Sequence, residues 1–242
     1  MVARWRTIRR SVFGAASLAL LLAACGGPQS ALDPAGPAAE EIATGWWLMF
    51  AGACAAWTLV LALVLLAMRR GRGLAPRAGG RLILAGGVAL PTVLLAALLV
   101  YGTLASDRVT GSGADVAHVV RVTARQWRWE FEYLDRDGVV RAASVDRLAM
   151  PLGEMVEFHV GSIDVIHSFW IPRLGGKVDA IPGRTNLLRL RADRTVPMRG
   201  QCAEFCGLEH ARMAFRVDVL DARAYRAWLR ENAVVADDGA AR

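Results

Sequence analysis

The sequence predicts a membrane-anchored β protein: two uncharged spans forming a hairpin, then an external all-β domain closed by a short helix. Three observations predict it. The chain of 242 residues is 55% hydrophobic and 21% charged, more oily than a soluble globule. Its net charge of +7 is unevenly placed, with nine Lys+Arg against three acids in residues 1–105 and 20 against 19 in residues 106–242. The second part also carries short apolar alternations punctuated by Pro and Gly. A basic excess confined to the flanks of apolar spans is a topology signal, which excludes nucleic-acid binding as the role of the charge. The length admits one soluble domain plus extra segments and excludes a large multidomain catalyst.

Residues 1–24 read as a signal peptide of lipoprotein type. Arg4, Arg6, Arg9 and Arg10 precede an apolar run, and Leu22-Ala23-Ala24 leads into Cys25, which becomes the lipidated first residue on this reading. A signal anchor with a buried cysteine is the alternative. Residues 25–45, rich in Gly, Pro and Ala, are expected to be an external linker unable to build a core. Trp46 to Met68 is a stretch of 23 residues without a charge, about 35 Å as a helix and enough for a hydrocarbon layer of about 30 Å. Residues 69–81 hold Arg69, Arg70, Arg72, Arg77 and Arg81 and no acid, the mark of a cytoplasmic loop. Residues 82–105 form a second uncharged span, with Pro91 expected to kink it. Two spans return the chain to the side on which a lipoprotein signal starts it, so the N-terminus and residues 106–242 both lie outside.

In the external part, Val116 to Tyr133 alternates, with Trp127, Trp129, Phe131 and Tyr133 on one face and Arg128, Glu130 and Glu132 on the other. Further strands are expected at Val156–Val160, Leu187–Ala192 and Phe215–Val219, a spacing that means a sandwich or barrel. Asp221 caps a terminal helix whose Tyr225, Trp228 and Leu229 share one face. His118 and His159 read as ordinary strand residues, and Cys54 as an inert residue of the first span.

The chemistry concentrates in Gly200 to Met213. Cys202, Cys206, His210 and Met213 fall at spacings of four, four and three, and His167 follows a strand-like run elsewhere. Soft sulfur beside imidazole selects copper or zinc, and the thioether leans towards copper. A mononuclear blue-copper site needs two His, one Cys and a weak Met; this loop holds one cysteine more. Two thiolates bridging a pair of copper ions leave one histidine per metal, with Met213 and a backbone carbonyl as weak outer donors. A Cys202–Cys206 disulfide and a Cys2His2 zinc site are the competing readings.

Four segments together resemble subunit II of the haem-copper cytochrome c oxidases: Gly200 to Met213, Asp164 to Trp170, Lys177 to Arg184 and Arg125 to Tyr133. The resemblance spans both membrane segments and the whole external domain. It implies a Greek-key cupredoxin domain over residues 106–242 carrying the binuclear CuA centre, with His167, Cys202, Cys206, His210 and Met213 as side-chain ligands. Glu204 would give its backbone carbonyl, and its side chain would hold magnesium against subunit I. It further implies the role of electron acceptor in an aa3-like oxidase of a bacterial inner membrane, alongside subunits I and III. Trp127 would take electrons from cytochrome c for haem a of subunit I, where oxygen is reduced to water with proton pumping. Glu132 and Asp164 match acidic docking positions, yet Arg128 stands beside Trp127 where an uncharged aromatic is usual. The family's glutamate near the mouth of one proton pathway falls on Leu84, so that role is lost or moved. Two other functions compete: a quinol oxidase subunit II, whose relatives lack the copper ligands, and a membrane-tethered lipoprotein that handles copper.

Overall fold

The computed structural model describes residues 26–70, 75–111 and 113–234. The expected signal peptide, residues 1–24, and Cys25 lie outside the described residues. Helix α1 runs Pro37–Arg70, helix α2 Pro76–Leu84 and helix α3 Leu90–Thr110, with a π-helical turn, Ala85–Ala89, between the last two. Pro91 has no N–H to give to the turn before it, and the irregular turn sits just there, where a kink was expected. Two helical stretches, Pro37–Arg69 and Arg77–Thr110, are long and apolar enough to cross a membrane. They pair as a hairpin, where Gly45 lets the Tyr101 ring approach and the Tyr101 hydroxyl donates to Glu41 at 3.0 Å.

The β domain is a sandwich of two five-stranded sheets. One has the order β3-β2-β1-β5-β8, from β1 (His118–Arg125), β2 (Arg128–Leu134), β3 (Val140–Val145), β5 (Met155–Ser162) and β8 (Asn186–Arg191). The other is β4-β10-β9-β6-β7, from β4 (Arg147–Pro151), β6 (His167–Trp170), β7 (Val178–Ala180), β9 (Met198–Cys202) and β10 (Ala214–Leu220). The β1–β5 and β4–β10 pairs are parallel, and the others are antiparallel. Sheets joined this way make the cupredoxin Greek key. Between them lie Trp129, Phe131, Phe158, Phe169 and Phe215, all buried, with Phe169 and Phe215 stacked at 5.1 Å. The terminal helix α4, Ala222–Glu231, is capped by the Asp221 carboxylate, which accepts from the N–H groups of Arg223 and Ala224, and it buries Tyr225 and Trp228.

Three differences from the sequence reading have physical causes. The alternating run Val116 to Tyr133 is two strands folded back as a hairpin at Gln126-Trp127, in register Arg125↔Arg128, so Trp129, Phe131 and Tyr133 are buried while Trp127 stays at the surface. The loop between the spans is shorter than 69–81, because the helix resumes at Pro76, a residue suited to a first helical turn. The third concerns the expected linker. Ala35, Ala38, Ala39 and Ala43 are buried, and α1 starts nine residues before Trp46. Small side chains let this segment lie flat on the β domain, so a Gly/Ala/Pro composition here means close approach.

Candidate metal centre

The donors come from three places that the fold brings to one end of the sandwich. His167 opens β6 and is fully buried. Cys202 ends β9, which pairs with β6 through Phe169↔Cys202, so the two donors sit on neighbouring strands. Cys206, His210 and Met213 lie on the loop from β9 to β10, whose neck is closed by the Cys202 N–H donating to the Met213 carbonyl at 2.8 Å. Gly207 stands at the tip with φ +119, and a Cβ there would meet Gln126 and Trp127 at 3.2 Å. Only glycine fits both demands.

The donor atoms form a continuous array. The His167 Nδ1 lies 3.8 Å from the Cys202 Sγ, which is 3.8 Å from the Cys206 Sγ; that sulfur is 3.7 Å from the His210 Nδ1 and 3.8 Å from the Met213 Sδ. The Glu204 carbonyl oxygen is 3.2 Å from the Cys202 Sγ, while its side chain points to the exterior as an exposed residue. His167, Cys202 and Cys206 alone make a cluster whose ligand atoms lie within 4.8 Å of one another. The cysteines are free thiols. Burial, together with the neighbouring Cys202, pushes the Cys206 thiol up to about 12, so it forms a thiolate only beside a compensating cation. Two sulfurs, two imidazole nitrogens, a thioether and a carbonyl fit a soft ion such as copper. A closed zinc site of four donors would leave the Met213 sulfur idle against Cys206.

Around the donors a set of hydrogen bonds fixes their orientation. Asp164 Oδ1 is 2.9 Å from the His167 Nε2, which leaves Nδ1 free to face the sulfurs. Burial raises the Asp164 carboxyl, but hydrogen bonds from the Gln126 N–H, His167 and the Val165 N–H outweigh it and bring it to about 2. Asp164, matched from sequence to a docking position, therefore spends its charge on the histidine. The Trp127 indole N–H donates to the Cys206 carbonyl at 3.1 Å, and the Gln126 side-chain amide to the same oxygen at 2.8 Å. Gln126 is the residue that sequence reasoning missed: it joins the hairpin turn, Asp164 and the donor loop. Its only signal was a polar side chain between Arg125 and Trp127. Glu132 lies on β2, away from this network, and pairs with Arg121 at 2.9 Å.

A family described as cytochrome c oxidase subunit II, periplasmic domain, matches residues 136–220. The cytochrome c oxidase subunit 2 of Alkalihalophilus pseudofirmus is 34% identical over 239 residues, spanning 93% of this chain and 68% of that protein. The chain belongs to the cytochrome c oxidase subunit 2 family. The subunit 2 of Bacillus subtilis is 31% identical over 254 residues, covering 96% of this chain and 69% of its own length. Among solved structures, the periplasmic domain of subunit II of the Bradyrhizobium japonicum cytochrome oxidase covers 49% of the chain and 94% of that domain, at 27% identity and a TM-score of 0.46. The chain is thus a membrane-anchored component of an oxidoreductase, with a His/Cys/Cys cluster of copper-binding character in its β domain.

Proposed function

We propose that the chain is the electron-accepting subunit of an aa3-like cytochrome c oxidase, taking electrons from cytochrome c at a binuclear CuA centre and delivering them to haem a of subunit I. Oxygen reduction to water and proton pumping then belong to the assembled complex, with subunits I and III as partners. The observation that carries the reading is the donor array itself: the two thiols stand side by side, and each has its own imidazole 3.7–3.8 Å away. In this assignment His167, Cys202, Cys206, His210, Met213 and the Glu204 carbonyl hold the metal. Copper, when bound, supplies one-electron redox chemistry with little rearrangement of its ligands.

The protein's part is to hold those donors still and to bring a redox partner close. Asp164 keeps the His167 ring turned with Nδ1 inward. Burial of Met213 and both cysteines keeps water off the sulfurs. Trp127, partly exposed and bonded through its indole N–H to the Cys206 carbonyl, gives the donor cytochrome a contact one hydrogen bond away from a ligand residue. The exposed Glu204 side chain is the candidate for a magnesium ion shared with subunit I. The β domain and the N-terminus lie on the outer side of a bacterial inner membrane, by the arginine-rich loop between the spans.

The test is made on the whole chain, since residues 35–43 pack against the β domain. Loaded with copper, it should show intense thiolate-to-copper bands in the visible and an electron paramagnetic resonance spectrum split by two equivalent nuclei. A single-copper spectrum would refute the binuclear assignment. Copper that exchanges readily, in a protein that never copurifies with haem proteins, would favour the copper-handling lipoprotein instead.

A further inference from the structure

The segment between the proposed lipid site and α1 crosses the β domain as a strap. Near its start the Arg199 N–H donates to the Pro28 carbonyl at 3.0 Å, and the Gln29 side-chain amide donates to the Gln201 side chain at 2.7 Å. Both partners are on β9, and Gln201 directly precedes Cys202. In its middle Asp33 holds Arg173, the one buried arginine among the described residues: the guanidinium donates to the Asp33 carboxylate at 2.6 Å, to its carbonyl at 2.8 Å and to the Pro197 carbonyl at 3.2 Å. Arg194 clasps the other carboxylate oxygen at 2.9 Å. Arg173 sits three residues after the end of β6, the strand that begins with His167. At the far end the Ala35 N–H donates to the Arg173 carbonyl, the Asp193 N–H to the Ala35 carbonyl, and the Ala39 N–H, already inside α1, to the Leu174 carbonyl. Gly36 passes so close to the Arg191 carbonyl that a Cβ would overlap it.

A buried, fully bonded guanidinium is costly to assemble and is lost at a high cost if one partner goes. Here it fastens a segment that contributes no donor atom to the array described above. What the strap joins is the membrane helix α1, the strand that carries Cys202 and the loop that follows the strand of His167. We propose that Gln29, Asp33 and Gly36 are positioning residues whose strap holds the donor-bearing β domain rigidly over the membrane hairpin, fixing the distance from the centre to the haem that receives its electrons. The proposal rests on the copper reading above.

The assembled oxidase carrying Asp33→Asn, Gly36→Ala or Asp33→Glu tests it. In the first two, amide hydrogen exchange at Ala35 and Arg199 should quicken while the copper optical and paramagnetic spectra stay those of the unaltered complex. Electron transfer from the flash-reduced copper centre to haem should slow severalfold, because the rate falls as the separation set by the strap grows. Asp33→Glu, which keeps the carboxylate, should recover most of the rate. Faster exchange with an unchanged transfer rate would overturn the proposal, and so would a copper spectrum that degrades in step with the rate, because the strap would then be serving the fold of the site. The unaltered complex is the separate control for the copper reading: if it lacks the two-copper spectrum, that reading fails whatever the variants do.

Discussion

Trp127 and Asp33 make claims that single substitutions can check. Trp127→Ala removes a partly exposed aromatic ring that is hydrogen-bonded to the donor loop. Truncating a tryptophan at an interface ordinarily costs about 2 kcal/mol or more, so the KM for a donor cytochrome should rise at least about tenfold. The copper spectrum should persist, since Gln126 still holds the Cys206 carbonyl; loss of copper would show that the ring serves the site and not the donor. Asp33 carries a pH dependence whose sign is fixed. The hydrogen bond from Arg194 holds its carboxyl below the ordinary value of 3.8, helped by Arg173 and opposed by burial. A carboxyl lowered by folding adds stability above its unfolded value and loses it as the pH falls through the folded one. The melting temperature of the unaltered protein should therefore drop more steeply than that of Asp33→Asn below about pH 4. Parallel curves would mean that the strap does not depend on this charge.

At the level of elements, the packing of β9 against β10 is the tightest constraint next to the donors. A Cβ on Gly200 would overlap the edge of the Phe215 ring, 1.9 Å from its Cζ, and that ring stacks on Phe169, the partner of Cys202 across β6 and β9. Gly200→Ala should thus cost about 1–3 kcal/mol in chemical denaturation, the usual range for an overpacked core; an unchanged midpoint would show that the sheets slide apart freely there. Elements of this kind were unevenly legible. The membrane spans, the strands at β5, β8 and β10 and the capped helix α4 follow from periodicity and caps, because each carries its signal within its own residues. The side chains that the fold gathers into the sulfur and imidazole array were legible too, since four of them fall within twelve residues. The hairpin at Gln126-Trp127 was hidden because β1 and β2 both alternate and no Gly or Pro marks the turn. The strap was hidden for a different reason: its fixation comes from Arg173, Arg194 and the β9 backbone, more than 130 positions away. A composition rule for linkers sees the alanines and not their partners.

For the molecule as a whole, the balance of charge decides how the cytochrome of the proposed function would arrive. The chain's +7 is concentrated before the β domain, and residues 106–242 are nearly neutral. Four acids on the strands and loops around this end of the domain are engaged within the chain. Glu132 pairs with Arg121 at 2.9 Å, Glu130 with Arg128 at 2.8 Å and Arg125 at 3.3 Å, and Glu209 with Arg212 at 3.1 Å, while Asp164 serves His167. Beside these paired charges stand exposed apolar side chains on the same loops: Leu208 is 93% exposed, Phe205 76% and Ile163 54%. Long-range steering needs an excess of one sign, and a compensated surface has none to offer. Short-range apolar contact must then do more of the work, so the second-order rate of donor oxidation should change by less than about threefold between low and physiological salt, against the tenfold or greater fall that steered pairs show. Stopped-flow oxidation of a reduced cytochrome c across that salt range measures it. A steep decline would mean that one of these carboxylates leaves its arginine to meet the donor, and Arg128→Gln, which frees Glu130 of one partner, should then speed the reaction at low salt.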